Sequence, residues 1–189
     1  MSACGLLEGL VPDHQVRSRA ALRAGDLSTG NKVSYPGQGP CRIGHVVKRF
    51  VEGRVIMFYH LTMLDDRGGE LFVPVEKAPA IGVRLLVKSS EIPQLLECLK
   101  KAARTVDNWK EHANENLKLF TAGSAFDLAG GVASLTQLRT KRSLTLRESR
   151  TLERARYLLI CEISEVTGET VIAAGKQVDE ALTAGRDES

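Results

Sequence analysis

Between residues 31 and 75 the apolar positions come in short, roughly alternating runs, and from Ser89 onward they recur every third or fourth residue. The first texture is that of half-buried strands, the second that of amphipathic helices. Lys32-Val33-Ser34-Tyr35 alternates, then Pro36-Gly37-Gln38-Gly39-Pro40 breaks it as a turn. Cys41–Phe50 and Val55–Met63 are strand-like runs joined by Val51-Glu52-Gly53-Arg54, a hairpin in which Gly53 supplies a positive φ. Leu64–Gly69 is a second turn, and Glu70–Val75 a further strand ending at its proline. Residues 79–84, PAIGVR, form the exit. Four or five short antiparallel strands predict a small curled sheet or SH3-like barrel, a size typical of binding modules.

The second half predicts helices. Ile92, Leu95, Leu96, Leu99 and Ala102 form one stripe, opened by Ser89 or Ser90 with Pro93 in the first turn. Thr105–Gly123 reads as a helix capped by Asp107, with Ala113, Leu117 and Phe120 inward. Ser124 caps a third helix with Phe126, Ala129, Val132, Ala133 and Leu135 inside. Its Gly130-Gly131 pair costs about 1 kcal/mol per glycine and is expected where helices approach closely. Thr145 and Glu148 make a capping box for a fourth helix, striped by Leu152, Ala155, Leu159, Ile163 and Val166 and ended by Gly168. A last helix carries Val171, Ile172, Val178 and Leu182. The expectation is an α+β protein: a flexible extension over 1–28, a β domain over 29–87, an all-α bundle of about five helices over 88–185, and a fraying tail over 186–189.

Charge changes this picture through its distribution. The chain of 189 residues has a net charge of only +3. Residues 88–160, however, carry 13 Lys and Arg against 8 Asp and Glu, a net of +5, and residues 161–189 carry 2 against 7, a net of −5. Cys4, Cys41, Cys98 and Cys161 are far apart, which fits neither a local zinc site nor a disulfide framework and suits a reducing compartment. Gly5–Val11 contains Glu8 and follows no basic residue, so it reads as neither a signal peptide nor a membrane span. The expectation is a cytoplasmic protein with no metal, no cofactor and no membrane partner.

Chemistry is sparse. His14, His45, His60 and His112 are isolated, with His60 read as a structural strand residue, and Asp65-Asp66 as turn residues. No GxSxG, HExxH or P-loop is present, which moves the weight from catalysis to binding. The only tryptophan, Trp109, lies at a helix start among Asn108, Lys110, Glu111 and His112. An indole there can pack at a domain junction, contact another protein or stack on a nucleic-acid base. Arg139, Lys141 and Arg142 share a loop, and Arg147, Arg150 and Arg154 fall at i, i+3 and i+7 on one face of the fourth helix. Such a run serves either as a solvated face, with Glu148 and Glu153 interspersed, or as a phosphate-binding patch at a helix N-terminus.

The order Gly30-Asn31-Lys32-Val33-Ser34-Tyr35-Pro36-Gly37-Gln38-Gly39, the hairpin, Phe72-Val73-Pro74-Val75 and Ile81-Gly82-Val83-Arg84 resembles the RNA-polymerase-interacting module of the CarD/CdnL bacterial transcription regulators, shared with the transcription-repair coupling factor. Trp109, Leu117, Ala122-Gly123, Leu144-Thr145, Glu148, Ala155-Arg156, Leu159 and Glu162 resemble the C-terminal domain of the same regulators. The resemblance covers roughly residues 30–182. It implies a non-enzymatic, monomeric factor whose Tudor-like barrel binds the RNA polymerase β subunit. Its helical domain would meet promoter DNA at the upstream edge of the bubble, largely without reading sequence, and Trp109 would wedge into the minor groove at the duplex/single-strand junction. Arg49 falls on a basic polymerase-contacting position, and the resemblance makes Phe72 and Pro74 of the Phe-Val-Pro stretch polymerase-binding candidates as well. Phe72 stands where some members have an arginine; Glu111 and Ser149 stand at positions that are often basic, which implies a retuned DNA grip. The alternative is an adaptor whose helical domain binds another protein instead of DNA.

Overall fold

The computed structural model describes residues 27–65, 68–102 and 124–187. The helix expected around Trp109 lies outside the described residues, as does the chain up to Asp26. The β half contains β1 (Lys32–Tyr35), β2 (Gly39–Val51), β3 (Arg54–Met63), β4 (Glu70–Pro74) and β5 (Arg84–Leu85). They form one antiparallel sheet in the order β4-β3-β2-β1-β5. Glu52 and Gly53 both have positive φ, 49° and 79°, giving the β2–β3 hairpin the primed turn that matches strand twist.

The sheet is open: of the two expectations, a curled sheet or an SH3-like barrel, the barrel does not form. Pro74 ends β4, and a 3-10 turn over Val75–Lys77 leads into the one-turn helix α1 (Ala78–Ile81), which stops at Gly82. Only two residues then remain for β5, which pairs with Val33 and Ser34 of β1 and never reaches β4. The core lies under one face and comprises Leu27, Val33, Cys41, Ile43, Tyr59, Leu61, Val73, Ala78 and Val83. Leu27 belongs to it, and the Tyr59 hydroxyl donates to the Leu27 carbonyl at 3.0 Å, so residues assigned to the extension pack into the module.

The helical half contains α2 (Ile92–Ala102), α3 (Ala125–Lys141), α4 (Leu146–Thr167) and α5 (Val171–Asp187). The caps expected at Ser124 and Thr145 form: the Ser124 side chain accepts from the Asp127 amide and Thr145 from the Glu148 amide. Neither Ser89 nor Ser90 caps α2, which is entered through a 3-10 turn over Ser89–Glu91 whose N-cap is Lys88, its amide donating to the Glu91 carboxylate at 2.9 Å. Ile92, Leu95 and Leu99 of α2, Ala129, Val132, Ala133 and Leu135 of α3, and Leu152, Ala155, Leu159 and Ile163 of α4 are buried together. The α5 stripe differs from expectation. Ala174, Val178, Ala181 and Leu182 are buried, whereas Ile172 is 85% exposed and Val171 half-exposed. Thr170 caps the helix through the Ala173 amide, so Val171 and Ile172 occupy the first turn, ahead of the packed stretch.

The two halves meet along a second face of α4. Arg154, Leu158, Glu162 and Glu165 recur at helical spacing and each touches the β module. Arg154 donates to the Gly37 carbonyl in the β1–β2 turn, from Nε at 3.1 Å and also from Nη2. Gly39, at φ 109°, lies so close that an added Cβ would stand 3.2 Å from the Leu158 side chain. Lys32 pairs with Glu165 at 2.6 Å. Between these contacts lies Glu162, only 1% exposed. Arg84 of β5 grips its carboxylate with two nitrogens at 2.6 and 2.8 Å, and the Val87 amide donates to it at 3.1 Å. A buried carboxylate needs such donors, because an uncompensated charge in the interior is strongly unfavourable.

Close helix approach does not explain Gly130, since a Cβ there would meet nothing within 4 Å. Gly130→Ala is therefore expected to stabilise the protein by about 1 kcal/mol, raising the thermal midpoint. A fall in the midpoint would mean that the site is filled after all. Arg84→Ala is expected to cost about 3–5 kcal/mol in urea unfolding, because it strands the Glu162 carboxylate. Combining Arg84→Met with Glu162→Leu should recover most of that loss; a double variant as unstable as Arg84→Ala would show that the ion pair itself supplies the stability.

Candidate functional site

Strand alternation sorts the β2–β3–β4 residues onto two faces. Tyr59, Leu61 and Val73 point to the core, so Phe58, His60, Phe72 and Pro74 point outward, with Phe58 opposite Pro74 and His60 opposite Phe72. The β2 register slips between Ile43 and Val46, leaving Gly44 and His45 opposite His60. Such a bulge re-aims side chains. Here it brings the His45 ring to 5.0 Å from the His60 ring. Gly44 makes room for this, since a Cβ on it would stand 3.3 Å from His60 Nδ1.

The row continues across the sheet. His60 stacks on Phe72 with ring centroids 4.9 Å apart and planes 21° from parallel, and His60 Nε2 lies 3.3 Å from the Glu70 carboxylate. Arg49 of β2 places its guanidinium over the Phe72 ring, 4.2 Å from the centroid, and 5.9 Å from that of Phe58. Arg49, Phe72 and Pro74 are thus gathered on one surface of the sheet. His45 and His60 join them, although sequence reading took both as isolated. Their only local signal was glycine beside His45, which marks a bulge. On the reverse side the hairpin overshoots the core, leaving Val46, Phe50, Val55 and Met57 exposed.

The helical candidates divide differently. Trp109, Lys110 and His112 lie outside the described residues. Arg139 and Lys141 are exposed at the end of α3, and Arg147 and Arg150 are exposed in the first turns of α4. Arg142 folds back on the Glu148 carboxylate with two nitrogens at 3.0 and 2.7 Å. Arg154 points into the interface with the β module, where Gly37 holds it. Arg142 and Arg154 therefore have structural partners, while Arg147 and Arg150 present their charge to solvent. On a third face of α4, Arg156 pairs with Asp179 at 2.7 Å beside a groove of about 1340 Å³, rimmed by the exposed Val171 and Ile172.

No group of His, Cys, Asp and Glu among the described residues is arranged to hold a metal ion, and burial pushes the Cys41 thiol up to about 11. No helix among them is long and apolar enough to cross a membrane.

Two profiles match this chain. The CarD-like/TRCF RID domain matches residues 27–86, and the CarD C-terminal domain matches residues 94–179. The chain belongs to the CarD/CdnL family. It is accordingly a transcription-associated regulator of the RNA-polymerase-interacting kind. The first CarD match begins at Leu27, the first buried residue of the β module, and ends just past β5. The second spans α2 to Asp179 in α5. Val87, whose amide Glu162 holds, falls between the two matched regions, so the CarD linker is itself pinned to α4.

The Glu148 carboxyl is held down to about 2 from 4.5, first by hydrogen bonds from Arg142 and then by the Thr145 amide. A carboxylate depressed in this way stabilises the fold at pH values above its unfolded value and loses that contribution as pH falls through the folded one. Glu148→Gln should therefore unfold more easily than wild type at neutral pH. The difference should shrink from about pH 4.5 and vanish below about pH 2. Thermal unfolding followed by circular dichroism across that range checks this; a pH-independent difference would contradict it.

Proposed function

We propose that the chain binds the β subunit of RNA polymerase through the outer face of its sheet and holds the promoter open complex with its helical half. The observation that carries the first part is the gathering of Arg49, Phe72 and Pro74, from the non-adjacent strands β2 and β4, on one surface. An exposed arginine bordered by aromatic and apolar groups has the composition of a protein-contact centre. For the second part, Trp109 acts as a wedge at the upstream edge of the bubble, where an apolar side chain offsets the unstacking of a base step. Arg139, Lys141, Arg147 and Arg150, with Lys110 and His112, contact phosphates without reading sequence. Arg142 and Arg154 support that surface from within, through the α4 cap and the β1–β2 turn. The factor works in the cytoplasm as a monomer, without a cofactor or chemical turnover.

The groove beside α4 and α5 supports a second reading, in which the helical half binds a protein. Its apolar rim at Val171 and Ile172 is the observation in favour.

Open-complex lifetime on a bacterial promoter with cognate polymerase separates the two. Wild-type protein is expected to lengthen it, Trp109→Ala to lose most of that effect while still binding polymerase, and Arg49→Glu to lose both. Unchanged lifetimes with polymerase binding intact would sink the wedge and favour the adaptor.

A further inference from the structure

Family resemblance supplies Arg49 as a charged contact but for Phe72 at most an apolar one, at a position where some relatives carry a cation. The geometry gives Phe72 a use. Its ring lies under the Arg49 guanidinium at 4.2 Å, closer than Phe58 at 5.9 Å. Phe72 is itself held, because His60 stacks on it and His45 packs against His60. We propose that Phe72 is a positioning residue that presents Arg49, ready oriented, to a carboxylate on the polymerase surface.

This rests on reading the outer face as the docking surface. An aromatic face attracts a cation through its quadrupole, and a guanidinium over a ring keeps the in-plane N–H donors at its edge available for paired bonds to a carboxylate. Free arginine side chains sample many rotamers, and fixing one before binding removes an entropic cost from association. Charge agrees with the choice of partner. On the outer face Arg42, Arg49 and Arg54 stand against Glu70. The surface therefore fits a partner presenting one Asp or Glu bordered by apolar side chains. A cation at position 72 would offer a second charge; the phenylalanine instead makes one charge more directional.

The test is a double-mutant cycle on the full chain, measuring its affinity for cognate core RNA polymerase. Phe72→Leu keeps an apolar side chain at a site that is already 40% exposed, so the fold should persist, with an unchanged thermal midpoint as the check. It is expected to weaken binding about five- to tenfold, with Phe72→Tyr staying within about twofold of wild type. In an Arg49→Ala background, Phe72→Leu should cost little more. In the free protein, NMR should find the Arg49 Hε resonance shifted by the Phe72 ring current, and that shift should disappear in Phe72→Leu. Equal losses in both backgrounds would show that Phe72 touches polymerase itself and would overturn positioning, as would a harmless Phe72→Leu beside a damaging Arg49→Ala. If Arg49→Ala binds as well as wild type, the docking face itself is misassigned, and the positioning role falls with it.

Discussion

The Glu162 carboxylate sits in the middle of α4 with almost no access to water, and most of the arrangement depends on how it is satisfied. Two nitrogens of Arg84 and the Val87 amide converge on it from the end of the β module and from the linker that follows. A charge in that position tolerates very few alternative geometries, because each leaves donors or acceptors unpaired in a poorly solvated place. Apolar contact alone would be less demanding, since Leu158 could slide over the β1–β2 turn at small cost. The ion pair fixes the register between sheet and bundle, and the Arg154–Gly37 and Lys32–Glu165 contacts flank it along the same helix face.

This makes α4 a spine with three occupied sides. Leu152, Ala155, Leu159 and Ile163 build the bundle core, Arg154 to Glu165 hold the β module, and Arg156 and Tyr157 look onto the groove. Its arginines therefore differ in role despite their similar spacing. Helical periodicity placed Arg147, Arg150 and Arg154 on one side, and that side becomes an interface partway along its length. Arg154 is taken up by the β1–β2 turn while Arg150 and Arg147, one and two turns earlier, project past it. For a factor that must bridge polymerase and promoter, a rigid link between the docking face and the cationic end of α4 sets the distance between two large partners.

Much of this was legible in the residues. Local chemistry marked the hairpin at Glu52-Gly53, the caps at Ser124 and Thr145, and the stop at Gly168, because each depends on neighbours a few positions away. What escaped depends on distant parts of the chain. β5 is two residues long and exists through its pairing with β1; nothing in Arg84-Leu85 alone announces a strand. Barrel closure was expected from strand count, but it depends on whether the edges can meet. Val171 and Ile172 match an apolar pattern yet precede the packed turns of α5. At the candidate site, Arg49, Phe72 and Pro74 came from resemblance, whereas the contribution of His45 and His60 required the bulge that rotates one toward the other. Glu162 entered only as part of a matching pattern, because a glutamate in an amphipathic helix ordinarily reads as solvent-facing.

The Arg84–Glu162 contact holds the β module and the helical bundle in one orientation. Spin labels on noncanonical residues at Glu52, in the hairpin turn, and Lys176, on the exposed side of α5, would report that orientation as a distance distribution by double electron–electron resonance. A single narrow distribution in the wild-type chain, broadened in Arg84→Ala while both halves stay folded, is the predicted result. A distribution that is already broad in wild type, or unchanged by the substitution, would contradict the account.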